Sequence, residues 1–170
     1  MTKILSVVTC VMIVSACATP DRGTPSAAAT LRPASGTQVA GKVTFFQLGE
    51  NRTRIFGEVS GHPPGRRGFH IHEMGDCSAH DAMSAGGHFN PAKSKHGASP
   101  TTGHIGDLGN LTFDSSGRAT IDMTVEGITT NRGAPNSIVG RALMVHMQED
   151  DLKTDPTGNA GARAACGVIN

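Results

Sequence analysis

Six histidines and one aspartate dominate this chain: His70 and His72 as a His-x-His pair, His88, His96 and His104 at equal intervals, Asp107, and then a distant His146. So many ligand-type side chains in so short a sequence constrain the fold to one that gathers metal sites. In an extended strand alternate side chains share a face, so His70 and His72 can both reach one ion. Neutral imidazole suits copper and zinc alike. His88, His96 and His104 lie in sequence rich in Gly, Pro, Ser and Lys with no apolar periodicity, which fits a long functional loop rather than a core element. Asp107 follows His104 by three positions and completes a set of three His and one Asp. Such a set closes a tetrahedral zinc site and leaves no position for water, so it implies structural zinc and argues against a zinc hydrolase.

Apolar alternation and β-branched runs recur at Gln38–Leu48, Thr53–Val59, Gly68–Glu73, Leu108–Asp114, Ala119–Val125, Arg141–Met147 and Ala165–Ile169, separated by turn residues. No segment carries a sustained helical period. The pattern predicts an all-β, antiparallel sandwich or barrel, without internal repeats.

The segments Gly68–Glu73 (GFHIHE), Gly86–Pro91 (GGHFNP), Lys95–Gly97 (KHG), His104–Leu111 (HIGDLGNL), Gly140–His146 (GRALMVH) and Gly158–Val168 (GNAGARAACGV) resemble the copper/zinc superoxide dismutases. The resemblance runs from about Ala27 to Ile169. It implies an eight-stranded antiparallel Greek-key β-barrel with long metal-binding and electrostatic loops, and a first strand near Ala27–Arg32. It also implies one copper and one zinc per subunit. Copper would be held by His70, His72, His88 and His146, and zinc by His88, His96, His104 and Asp107, with His88 bridging the two. Donor chemistry agrees, because four nitrogens suit Cu(II) and zinc has no accessible redox change.

By the same resemblance Asp150 would link His70 to His96 behind the metals, Cys77 and Cys166 would form a disulfide, and Arg163 would meet an anionic substrate, superoxide, at the mouth of the copper channel. A planar, permanent cation suits a small oxyanion. His88 and Arg163 are therefore the expected catalytic side chains. The segment from His146 to Arg163 looks shorter than in animal members, so other substrate-guiding charges of that loop are not carried over. His62, before Pro63-Pro64, and His80 are expected to be surface residues. A copper-binding or copper-delivery module on the same fold is the alternative function. It lacks support from any Met-x-Cys-x-x-Cys segment in this sequence.

Lys3 precedes an apolar run, Ile4–Ala16, that falls short of the roughly 18 residues of a membrane span. It reads as a signal peptide over residues 1–17, and Val14-Ser15-Ala16-Cys17 resembles a bacterial lipoprotein box with Cys17 as the lipidated residue. Residues 18–26 then form a flexible tether and residues 27–170 a single domain. With Cys10 and Cys17 in the leader, Cys77 and Cys166 remain, and their pairing suits an oxidising bacterial periplasm or cell envelope. The net charge of +1 offers no global basic field for nucleic acid. Contact with a membrane is expected only through Cys17, and a homodimer stays open.

Overall fold

The computed structural model describes residues 24–170, so the expected signal peptide, Cys17 and most of the tether lie outside the described residues. Eight strands follow in chain order: β1 Ala27–Pro33, β2 Ala40–Gly49, β3 Arg52–Ser60, β4 Gly65–His72, β5 Asp107–Phe113, β6 Arg118–Glu126, β7 Ala142–His146 and β8 Arg163–Val168. Among the described residues the only helical element is one 3₁₀ turn, Met83–Ala85. The runs read from the alternation pattern all became strands, with ends shifted by up to a few residues.

The strands form one antiparallel sheet in the order β5-β4-β7-β8-β1-β2-β3-β6. The pairings β3 with β6, β4 with β7 and β1 with β8 are those of a Greek key. The sheet ends, β5 and β6, are joined by the tight turn Asp114–Gly117, where Gly117 N donates to Asp114 O at 3.0 Å, so the barrel is nearly closed. The fold is thus all-β, as the pattern implies.

Strand periodicity decides what goes inside. In β1, Ala27, Ala29 and Leu31 are buried while Ala28, Thr30 and Arg32 face water, and β6 alternates in the same way around Ala119, Ile121 and Val125. With Phe45, Ile55, Phe69, Ile71, Phe113, Leu143 and Val145 they make the barrel core. Each large apolar side chain stabilises the fold by about 1.5–3 kcal/mol through removal from water. The second half of β4 breaks the rule, for Gly68 to His72 are all buried. Phe69 and Ile71 point into the core, so His70 and His72 point outward, where two long loops cover them. Those loops are residues 73–106 between β4 and β5, and 147–162 between β7 and β8.

A disulfide joins Cys77 of the first loop to Cys166 of β8, 89 positions away. In the chain-entropy account a loop of that size gains about 4–5 kcal/mol from closure. Beneath it lies a second small cluster, Ala34, Ala82, Ala85, Ala142, Met144 and Cys166, on the outer face of the sheet.

His80 is exposed, as expected. His62 is not: it is 4% exposed, its ring lies 5.0 Å from that of Phe113, and its Nδ1 accepts the Arg67 Nε–H at 2.9 Å. The Pro-Pro turn that suggested a solvated residue instead folds the imidazole over an aromatic ring that needs cover.

Candidate metal centre

The structure brings two donor sets together, and each is buried. The ligand atoms of His70, His72, His88 and His146 all lie within 4.8 Å of one another, and so do those of His88, His96, His104 and Asp107. His88 belongs to both. The expected ligands therefore converge, although they come from β4, β5, β7 and the long loop between β4 and β5.

Local backbone explains the convergence. Pairing slips at Gly68/His70 in β4 and at Val145/His146 in β7, and such irregularities re-aim side chains. Gly68 leaves room for the His70 ring and for the loop after β7: a Cβ there would stand 2.8 Å from Ala160 Cβ, 3.0 Å from His70 Cε1 and 3.4 Å from His146 Cβ. The loop carrying His88 is stitched to β4 by Phe89 N to Ile71 O at 2.8 Å, and Ile71 N donates to Gly106 O at 2.8 Å. Arg141 adds a clamp, donating to Glu73 O at 2.7 Å with its guanidinium carbon 3.4 Å from the Phe89 ring centroid. One cation thus touches the residue after His72 and the residue after His88.

Outer acceptors fix the tautomers. The Nδ1–H of His72 donates to Gly86 O at 3.0 Å, and that of His146 donates to Gly161 O at 3.1 Å. Asp150 receives the Nε2–H of His70 on Oδ2 at 2.7 Å and that of His96 on Oδ1 at 2.8 Å. Carbonyls and carboxylates only accept, so the opposite ring nitrogens must carry lone pairs. Those lone pairs face inward. His70 Nδ1, His88 Nε2 and His96 Nδ1 are buried without a hydrogen-bond partner, and His72 Nε2 stands 3.3 Å from His146 Nε2. His96 Nδ1 is 3.1 Å from Asp107 Oδ2, a contact between two lone-pair atoms. Such an arrangement is costly unless a cation sits among the donors, which is the fit expected of metal sites.

Burial lowers the proton affinity of these rings. His70 and His72 lie well below the usual imidazole range, chiefly through desolvation and then through neighbouring histidines, and His146 is pushed down to about 4 by desolvation first. Burial pushes Asp107 upward, but hydrogen bonds from His88 and from the backbone N–H groups of Gly97 and His104 outweigh it and hold the carboxyl low. His70, His72, His88 and His146 are thus neutral imidazoles at neutral pH and Asp107 is a carboxylate, the forms that bind a metal.

Several residues that hold the site carried no assigned role in the sequence. Asn110 clamps Asp150 from both sides, Nδ2 donating to Asp150 O at 2.9 Å and Oδ1 accepting Asp150 N–H at 2.8 Å. Asp155 Oδ1 accepts the His96 backbone N–H at 2.6 Å, joining the two long loops. Gly158 has φ +62°, and a Cβ there would overlap Asp150 Oδ1 and stand 2.6 Å from His96 Nε2. Asn110 and Gly158 fall inside motifs quoted for the resemblance, so the signal was present without its mechanism.

Arg163 is buried, 8% exposed, and its guanidinium donates to Ala82 O and Gly86 O. Desolvation weakens its hold on the proton somewhat, with Asp81 working the other way. A fixed cation therefore stands beside the His72 acceptor.

A sequence model of the copper/zinc superoxide dismutase family matches residues 39–169. Among solved structures, a crystal structure of the clock protein EA4 is similar to this chain, with 41% identity, a TM-score of 0.75, and coverage of 87% of this chain and 96% of that one. Strand order, disulfide and donor sets agree with the match, and the chain belongs to the copper/zinc superoxide dismutase family.

Proposed function

We propose that the chain is a superoxide dismutase, converting two superoxide radicals and two protons to O2 and H2O2. Copper would be held by His70, His72, His88 and His146, and zinc by His88, His96, His104 and Asp107, one of each per subunit. The observation that supports this best is His88, whose Nδ1 faces Asp107 Oδ1 at 2.8 Å while its Nε2 faces the all-histidine set.

When bound, copper supplies a one-electron couple and zinc supplies a fixed charge with no redox change. The chain does the rest. Arg163, pinned by two carbonyls, presents a preorganised positive charge that attracts and orients a small anion. His88 Nε2 has no competing hydrogen-bond partner, so it can take up a proton and return it as peroxide forms. Asp150 holds His70 and His96 in one geometry, which ties the two donor sets to a single support.

The clock protein EA4 shares the fold, so fold alone leaves room for the rival reading of a copper-binding or copper-delivery module. Arg163 favours the enzyme, because a buried guanidinium beside the all-histidine set has little use in a storage site. Superoxide dismutation measured on purified protein of known copper content tests the proposal. Activity proportional to copper supports it, and copper-loaded protein without activity favours the rival.

We also infer that residues 1–17 are a signal peptide, that Cys17 carries lipid, and that residues 18–26 tether the domain in a bacterial periplasm or envelope. The Cys77–Cys166 disulfide supports an oxidising compartment. The membrane would be met only through Cys17, and a homodimer is compatible with this placement.

A further inference from the structure

The outer face of β1 and β8 carries a groove of about 330 Å³ against the disulfide. Ala28, Thr30 and Arg32 line it from β1, Cys166 and Val168 from β8, and Cys77 from the loop above. Arg32 is directly opposite Cys166 in the antiparallel register, so the two side chains leave the sheet on the same face. Arg32 is exposed, its guanidinium makes no hydrogen bond or ion pair with any described residue, and it is the one charged side chain among the described residues that line the groove. The two sulfurs differ in access: Cys77 is partly exposed, whereas Cys166 is 3% exposed.

We propose that this groove is a docking site for a small anionic thiol, and that Arg32 directs thiol–disulfide exchange to Cys77. The volume suits a small molecule rather than a protein loop. Arg32 attracts the carboxylate and thiolate of the incoming molecule. The thiolate sulfur attacks Cys77 Sγ and forms a mixed disulfide there. The Cys77–Cys166 bond breaks, and its electron pair leaves on Cys166 Sγ as a thiolate. Arg32, across the ladder from Cys166, stabilises that leaving thiolate, and a better leaving group departs faster. The Cys166 thiolate then takes a proton from water, or attacks Cys77 Sγ again and expels the small thiol.

Asp76 precedes Cys77 and would repel an anion, but its Oδ1 is turned onto the Ser78 N–H at 2.8 Å. Opening the bridge frees the loop whose Ala82 and Gly86 carbonyls hold Arg163, and whose Gly86 carbonyl also holds His72. The groove therefore gives small thiols a route to the metal centre from the far side of the loop. The chemistry is that of sulfur and does not rest on the dismutase reading.

The test uses the full metal-loaded chain and three probes at equal thiolate concentration: mercaptopropionate, whose thiolate is a dianion, mercaptoethanol, whose thiolate is a monoanion, and cysteamine, whose thiolate is a net-neutral zwitterion. Bridge opening is followed by alkylation quench and mass spectrometry, with peptide mapping of the mixed disulfide. Arg32→Gln should slow mercaptopropionate roughly threefold to tenfold, mercaptoethanol less and cysteamine least, as expected for one unit charge a few ångströms away. Arg32→Glu should extend the same order, high salt should erase it, and the adduct should map to Cys77. Equal changes for all three thiols, no change, or an adduct on Cys166 would overturn the proposal. Thermal unfolding of both variants, replaced at an exposed position, checks that the fold is kept.

Discussion

His72 and Arg163 donate to the same carbonyl oxygen, that of Gly86, so one peptide group positions both an inward-facing imidazole and the buried guanidinium. Displacing that peptide would move both together. The Cys77–Cys166 bridge and the Arg141 contact with Glu73 lie on the same loop and hold it from two sides.

Arg163 ligates nothing, so its replacement should slow dismutation without emptying either metal site. Arg163→Lys keeps a charge but loses the planar fork, and should retain the most activity. Arg163→Ile should retain less, and Arg163→Glu, which repels the anion, least. Steady-state rates against ionic strength check this at full copper occupancy: the salt dependence should flatten or reverse in the Glu variant.

Gly158→Ala should loosen the metal centre from outside it. A left-handed φ costs a Cβ residue roughly 1–2 kcal/mol, and the added methyl displaces the Asp150 carboxylate that orients His70 and His96. Metal affinity should fall by about 10- to 100-fold, the usual effect of losing such an orienting group. Competition with a chromophoric chelator measures it; unchanged affinity would mean that Asp150 does not support the ligands.

Acid should destabilise the metal-free protein over a defined window. His146 titrates near 4 in the fold, against about 6.5 in an unfolded chain, and His70 and His72 are depressed too. Between those values the unfolded chain binds more protons, so stability falls as pH drops from about 6.5 toward 4. His146 alone contributes on the order of 3 kcal/mol to that loss. Asp107, also depressed, contributes stability that is lost as acid protonates it. Melting temperatures of metal-free protein should be flat above pH 7 and fall steeply below 6, with the metal-loaded protein resisting longer. A flat profile to pH 4.5 would contradict the buried neutral imidazoles.

Cys17→Ser should release a soluble domain with unchanged dismutation, while the parent chain partitions into detergent. A multiply acylated terminus holds firmly where a single chain would not. Identical partitioning of the two proteins would remove the lipid anchor from the account.

Much of this was legible in sequence because strands and metal ligands both have short-range signatures. Period-two alternation marked β2 to β8, the resemblance supplied β1, and the residue types of the donor sets follow from the chemistry of His and Asp. What escaped depends on contacts between distant segments. Gly158 matters because Asp150, several residues earlier, curls back against it. Arg141 matters because Phe89 and Glu73 meet beneath its guanidinium. His62 sits in turn-forming sequence, yet packs on Phe113, more than fifty positions away, and no local pattern marks that.

The most direct test of the central claim is dismutation measured together with copper and zinc content on one purified, titrated series of samples. Activity should rise in proportion to copper, vanish when copper alone is removed from an intact fold, and survive zinc removal with lower thermal stability and a sharper pH dependence. Fully copper-loaded protein with no dismutation above free solution, or activity that tracks zinc instead, would contradict it.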